Sequence, residues 1–92
     1  MSEACELIEI VNERGLHARA SAKFVNLVAT LPETLAISVA KDGAEAAGGS
    51  ILGLMMLGAA RGDSIEVRVS GDGAEEALAQ LADLVKAGFG EK

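Results

Sequence analysis

The one histidine of the chain, His17, lies in the segment GLHARASAKFV, residues 15–25, where a glycine turn leads into an amphipathic pattern. A helix that begins at Ala18 would place the imidazole beside the free backbone N–H groups of its first turn, where a phosphate is stabilised. Arg19 follows two residues later, and its guanidinium offers paired donors to phosphate oxygens. The segment therefore predicts a histidine that accepts a phosphoryl group.

The same histidine also has a simpler interpretation as a solvated or helix-capping residue, and the residue type alone does not separate the two. Its neighbours Arg14, Arg19 and Lys23 are basic, although the formal net charge of the chain is −6. A local basic patch would attract acidic partners, whereas Lys23 taken alone fits a solvated helix face equally well. The acidic balance of the whole chain argues against binding to nucleic acid.

A second segment, GSILGLMMLG at residues 49–58, is strongly apolar and has no charged residue. Ser50 is placed to cap the start of a short helix and Gly58 to end it. So short a helix cannot bury its whole circumference against a sheet, so we assign Leu54 and Leu57 to the core. Exposed apolar side chains in a cluster indicate a docking surface. To this surface we assign Ile51, Leu52 and Met55, and to partner binding near His17 we assign Ala20 and Lys23.

The two segments together resemble the HPr family, the histidine phosphocarriers of the bacterial phosphoenolpyruvate-dependent phosphotransferase system. The first resembles the family's active-site signature and the second its regulatory-serine helix, over about residues 6–87. The resemblance implies that Nδ1 of His17 accepts a phosphoryl group from phospho-enzyme I and donates it to a histidine of an EIIA-type protein. Arg19 and the helix N-terminus would hold the phosphoryl oxygens. It implies a stoichiometric carrier rather than an enzyme, with no metal and no organic cofactor.

The resemblance also implies a role for Ser50, since in several bacterial groups an HPr kinase/phosphorylase modifies the matching serine. Gly49 stands where many members have a basic residue before that serine, and an N-cap role alone also accounts for Ser50. Ala20 replaces a proline that is common in sugar-transport members. This difference favours the regulatory, nitrogen-related branch of the system.

The remaining pattern predicts alternating strands and helices. Strands are expected at residues 5–11, 35–40, 44–47 and 64–70, with Asp42-Gly43 as a hairpin turn and 44–47 as a sheet edge. Helices are expected at residues 18–31, ended by Pro32, and at about 74–87, begun by a capping box of Asp72 and Glu75 and ended by Gly88. The order βαββαβα predicts an α+β open-faced two-layer sandwich, a four-stranded antiparallel sheet covered on one face by three helices.

Length predicts one domain over residues 1–92, which the resemblance identifies as HPr-like. We expect it to be a monomer in the cytoplasm without membrane association. Cys5 is the one cysteine, so no internal disulfide is expected, and with one histidine a zinc site is not expected either. We expect Cys5 to be a small buried or edge residue.

One competing hypothesis comes from another functional class. The chain could be an interaction module that is not phosphorylated and that regulates enzymes by docking through the helix at residues 50–57. Retention of both His17 and Arg19 favours the carrier. The chain has no carboxylate pair or cysteine–histidine pair that would support a hydrolytic or redox enzyme.

Overall fold

The computed structural model describes residues 2–91. Over this range the predicted order βαββαβα is confirmed. The strands are β1 Glu3–Glu9, β2 Ala36–Lys41, β3 Ala44–Ala47 and β4 Ser64–Ser70, and the helices are α1 Ala18–Ala29, α2 Ile51–Met56 and α3 Ala74–Lys86. The domain predicted for residues 1–92 includes Met1 and Lys92, which lie outside the described residues. None of the helices described here has the length and apolar character that a bilayer crossing requires.

The four strands form one antiparallel sheet in the order β1-β4-β2-β3. Strand β4 alternates strictly, with Ile65, Val67 and Val69 buried and the residues between them exposed or half-buried. The buried side chains belong to a core shared with α1, α2 and α3, so the helices cover one face and the other stays open. The predicted open-faced two-layer sandwich is therefore confirmed.

The β2–β3 hairpin turns at Asp42 and Gly43, whose φ angles of 50° and 85° are typical of a two-residue hairpin turn. This predicted turn is confirmed, and β3 lies at the sheet edge as expected.

Strand β1 begins and ends two residues before the predicted range. Hydrogen bonding to the loop before β4 continues at Ile10, which is fully buried. The N–H of Ile10 donates to Asp63 O, and its carbonyl accepts from the N–H of Gly62. Cys5 lies on the open face of this edge strand and is exposed. Of the two expected positions for Cys5, buried or at an edge, the structure shows the edge position.

Helix α1 packs Ala20, Ser21 and Phe24 into the core. Ala20 is 0% exposed, which contradicts its assignment to partner binding: its side chain faces the same way as Phe24, one helical turn later. The helix ends two residues earlier than predicted, at Ala29, where the N–H of Thr30 bonds the carbonyls of the last turn. Pro32 lies three residues after Ala29, so it follows the helix as expected but is not adjacent to its last residue.

Helix α3 buries the predicted apolar face but does not begin with the predicted capping box. Gly73 is the N-cap residue, with a φ of 86°, and no side chain caps this end. Asp72 lies one residue outside the cap position, so it cannot form the reciprocal pair with Glu75. At the other end Gly88 adopts a φ of 63°, and its predicted role as the helix stop is confirmed.

Candidate functional site

His17 is the N-cap residue of α1. Its backbone is extended, and its carbonyl accepts the first helical hydrogen bond from the N–H of Ser21 at 2.9 Å. Its Nδ1 accepts a hydrogen bond from the backbone N–H of Arg19 at 3.2 Å. The imidazole therefore caps the helix, as the simpler interpretation expected, and it also holds a ring nitrogen at the positive end of the helix.

The turn before α1 fixes the position of His17. Gly15 has a φ of 62°, and a Cβ there would overlap Ala59 O and lie 2.9 Å from Ala60 Cα. The close approach lets Leu16 donate its N–H to Ala59 O at 3.0 Å and bury its side chain. A glycine is therefore required two residues before the histidine.

The hydrogen bonds of the ring fix its tautomer. A neutral imidazole has one nitrogen with a hydrogen and one with a free lone pair. Because Nδ1 accepts from Arg19, the hydrogen of the neutral ring lies on Nε2, which contacts Glu91 Oε2 at 2.6 Å. The side chains of His17 and Glu91 are only 21% and 17% exposed. The lone pair that could attack phosphorus is thus on Nδ1, at the helix N-terminus.

Glu91 is held by Asn12, a buried residue of the loop after β1. The Nδ2 of Asn12 donates to Glu91 Oε1 at 3.1 Å and to Gly15 O at 2.9 Å. These contacts hold the pKa of Glu91 below its ordinary value: the Asn12 hydrogen bond has the largest effect, and the bond to His17 and the charge of Lys23 act in the same direction, against partial burial. Glu91 is therefore a carboxylate at neutral pH.

A tight turn at Gly88–Gly90 brings Glu91 to the histidine. Phe89 is 1% exposed and anchors this turn in the core, with a φ of 57° that is unusual for a residue with a side chain. The ammonium of Lys23 donates to Phe89 O at 2.7 Å. Lys23 is thus half-buried and bonds the backbone of this turn, which the sequence did not indicate; its assignment to partner binding stays a prediction.

Arg14 and Arg19 remain exposed beside His17. Within residues 2–91 the guanidinium of Arg19 makes no hydrogen bond or ion pair, so it is available to an anion at the helix end. The described residues contain no group of three His, Cys, Asp or Glu side chains that could hold a metal ion. The site therefore combines an imidazole nitrogen directed to a helix N-terminus with an exposed guanidinium, which suits acceptance of a phosphoryl group.

Helix α2 exposes four apolar side chains, which we call the α2 patch. Their exposed fractions are 40% for Ile51, 67% for Leu52, 40% for Met55 and 77% for Met56. The predicted exposure of the first three is confirmed, and so is the burial of Leu54 and Leu57. Met56 was missed, although it lies four residues after Leu52 and so on the same side of the helix.

The α2 patch lies next to the histidine site. Helix α2 packs against α1 and β3, and the residues that follow it, Ala59 and Ala60, support the Gly15 turn. Ser50 caps α2 as predicted, with Oγ accepting from the N–H of Gly53 at 3.0 Å, and Gly58 ends the helix with a φ of 66°. The structure thus brings the C-terminal end of α2 beside the turn that positions His17, whereas Gly49, directly before Ser50, lines a cleft with Val28 and Leu31 at the other end of α1.

Sequence reasoning missed the residues that contact the histidine from elsewhere in the chain: Asn12, Phe89 and Glu91. The contact between Glu91 and His17 joins residues 74 positions apart. No local spacing signals such a contact, because periodicity reports only neighbours on the same helix or strand.

Comparison with known proteins gives one consistent result. Residues 5–87 match the family model described as the PTS HPr component phosphorylation site. The chain is 44% identical over 84 residues to the phosphocarrier protein HPr of Neisseria meningitidis, covering 91% of this chain and 92% of that protein. It is 36% identical over 86 residues to the phosphocarrier protein NPr of Escherichia coli, covering 94% of each. Among solved structures, HPr-C-His from Thermoanaerobacter tengcongensis superposes with a TM-score of 0.86 at 39% identity, covering 100% of this chain and 99% of that one.

Proposed function

This chain belongs to the HPr family of phosphocarriers of the phosphotransferase system, and we propose that His17 is its phosphoryl acceptor. In this proposal His17 receives the group from phospho-enzyme I and passes it to a histidine of an EIIA-type protein. The observation that carries the proposal is the orientation of the ring, whose Nδ1 lone pair lies at the N-terminus of α1.

The chemistry requires little from the carrier itself. The Nδ1 lone pair attacks phosphorus while the bond from phosphorus to the donor nitrogen breaks and its electron pair returns to the donor. The phosphoryl oxygens then replace Nδ1 as acceptors for the N–H groups of the first helical turn, and Arg19 supplies a further donor pair. Donation to the EIIA histidine is the same step in reverse, with a new acceptor nitrogen.

The α2 patch supports docking of both partners to one surface. Leu52 and Met56 are the most exposed of its side chains, and apolar side chains of this size contribute most to binding where a partner excludes water from them. We propose that enzyme I and the EIIA-type protein cover this patch, with Arg14 and Arg19 contacting acidic residues at its margin.

We propose a regulatory role for Ser50, through modification by an HPr kinase/phosphorylase. Ser50 is half-buried and its Oγ accepts from the N–H of Gly53, which leaves its second lone pair for a phosphoryl group. A phosphate at a helix N-terminus is compatible with the fold, but it adds charge beside an apolar docking surface. The expected effect is weaker binding with little structural change.

We propose that the chain acts as a monomeric domain in the cytoplasm. The alanine at position 20 makes the nitrogen-related branch our preferred assignment, and the 36% identity to an NPr relative is compatible with it. An EIIA protein of that branch is therefore the first acceptor to test.

The direct experiment is phosphorylation with enzyme I and phosphoenolpyruvate. Wild-type protein should gain one acid-labile phosphoryl group, and His17→Ala should gain none. Arg19→Ala should keep the fold and slow transfer by about tenfold, since it removes one charge-assisted contact. Arg68→Ala is the matched control, because Arg68 lies on the open face of the sheet, where it pairs with Glu45 and Glu66.

Two results would contradict the proposal. Labelling that persists in His17→Ala would place the acceptor elsewhere, and an unlabelled wild-type protein would support the interaction-module alternative. Equal slowing by Arg19→Ala and Arg68→Ala would reduce the role of Arg19 to general surface charge.

A further inference from the structure

The carboxylate of Glu91 contacts the nitrogen of His17 that faces away from the helix N-terminus. The 2.6 Å separation between Nε2 and Oε2 is short, as in charge-assisted hydrogen bonds. Both side chains are largely shielded, at 21% and 17% exposed, so solvent and salt screen this pair less than an ordinary surface ion pair. The contact between Nε2 and Oε2 is thus a partly buried, charge-assisted interaction of the site.

We propose that Glu91 is a positioning residue for phosphoryl transfer, which orients the imidazole of His17 and balances the positive charge of the phosphorylated ring. This inference rests on the proposed carrier function of His17. It adds a residue from the opposite end of the chain to the site.

The positive charge arises because the ring keeps its proton. When the Nδ1 lone pair forms the bond to phosphorus, the donor nitrogen takes back the electron pair of the bond that breaks. Nε2 retains its hydrogen, so the ring of His17 changes from neutral to cationic. A carboxylate fixed on Nε2 interacts more strongly with the cationic ring than with the neutral one, and therefore favours transfer.

The same carboxylate assists release of the phosphoryl group. As the phosphorus–nitrogen bond breaks, its electron pair returns to Nδ1, and a ring protonated on Nε2 leaves as neutral imidazole. A ring that had first lost this proton would have to leave as an imidazolate anion, which is a much poorer leaving group. By stabilising the protonated ring, Glu91 keeps phosphorylated His17 ready to transfer.

The carboxylate is held in place before any phosphoryl group arrives. Asn12 donates to its other oxygen, and the turn that carries it is fixed by buried Phe89 and by the bond from Lys23 to the backbone. Among residues 2–91, the neighbouring elements carry Glu13 and Arg14 before α1, Arg19 and Lys23 on α1, and Asp83 and Lys86 in the last turn of α3. Of these, Lys23 acts on Glu91 directly, through its charge. Little reorganisation is therefore needed when the ring becomes cationic.

The test compares Glu91→Gln, which keeps an accepting oxygen but loses the charge, with Glu91→Ala, which loses both. Glu33→Gln is the matched control, because Glu33 is exposed beyond the opposite end of α1. Each variant is phosphorylated with enzyme I and phosphoenolpyruvate, and hydrolysis of the phosphorylated protein is followed from pH 4 to 10.

Glu91→Gln should slow phosphorylation by about tenfold, the effect of one charge-assisted hydrogen bond. Hydrolysis slows as the phosphorylated ring of His17 loses its Nε2 proton. In Glu91→Gln this slowing should occur at a pH about one unit lower, because the ratio of protonated to neutral ring falls about tenfold at a given pH. Glu33→Gln should match wild type in both measurements. A merely structural contribution would change melting temperature without moving the pH profile.

A third measurement tests the orienting role without any phosphoryl transfer. The Nε2 proton of His17 should give a slowly exchanging NMR signal in wild-type protein and in Glu33→Gln, and exchange rapidly in Glu91→Ala. An unchanged pH profile in Glu91→Gln, or an unchanged exchange rate in Glu91→Ala, would overturn the proposal for Glu91. A wild-type protein that accepts no phosphoryl group would instead overturn the carrier function on which it rests.

Discussion

Replacement of Gly15 by alanine should damage both the stability of the fold and the placement of His17. The new Cβ would overlap Ala59 O and lie 2.9 Å from Ala60 Cα, and the residue would keep a φ of 62°. Backbone atoms in a turn cannot move aside as the end of a flexible side chain can. The substitution therefore has to shift either the Gly15 turn or the segment after α2.

The expected loss follows from two contributions. A left-handed backbone costs a residue with a Cβ about 1–2 kcal/mol. Separating the two segments would break the hydrogen bond from Leu16 to Ala59, at about 1 kcal/mol, and would loosen the packing of buried Leu16. The sum is about 2–4 kcal/mol, which lowers the melting temperature of a domain of this size by about 10–25 °C.

Gly58→Ala is the matched control, because Gly58 has a φ of 66° and nothing lies within 4 Å of the Cβ it would gain. It should show only the backbone cost, about 1–2 kcal/mol. Thermal melts followed by circular dichroism measure both variants, and phosphorylation of Gly15→Ala at a temperature where it is folded reports the position of His17. Melting temperatures within about 3 °C of each other would refute the steric argument for Gly15.

Further predictions concern α2 and Glu91. Leu52→Asp should weaken binding to enzyme I while changing stability by less than about 1 kcal/mol, because Leu52 is exposed. Leu54→Asp should destabilise the fold by about 3–5 kcal/mol, because Leu54 is fully buried. Titration calorimetry measures binding, and thermal melts measure stability. Ser50→Ala should cost about 1 kcal/mol in a thermal melt by removing the cap, and Ser50→Asp should slow transfer from enzyme I at near wild-type stability. Because the pKa of Glu91 is lowered in the fold, its contribution to stability is present at neutral pH and is lost as pH falls through the folded pKa, so melts of wild type and Glu91→Gln should converge in acid.

The elements that were predicted correctly are those whose signals are local. Strand β4 alternates residue by residue, and the β2–β3 hairpin turns on Asp42-Gly43, so a few neighbouring residues determine each of them. His17 belongs to this class as well, since a glycine turn followed by an amphipathic run specifies both the helix start and the residue that caps it. Fold class and the position of His17 at the start of α1 were therefore predictable without tertiary information.

The errors arose where packing decides between residues that the pattern treats alike. Ala20 follows the exposed Arg19, and only the docking of α1 on the core shows that its Cβ points inward. The sequence predicted Asp72 as the N-cap residue of α3, but the N-cap residue is Gly73, in a left-handed conformation. In both cases tertiary contacts overrode a local preference of a fraction of a kcal/mol to about 1 kcal/mol.

Glu91 belongs to a third class, in which the sequence carries no usable signal at all. A glutamate near the end of a chain is an ordinary solubilising residue, and nothing in the spacing from position 17 to position 91 relates the two. The relation is created by Phe89, which reverses the chain after α3 because its ring is buried in the core, and by Lys23, which bonds the reversed backbone from the helix that His17 caps. The position of His17 at the helix start is thus specified locally, whereas the carboxylate that contacts its Nε2 is brought there only by the completed fold.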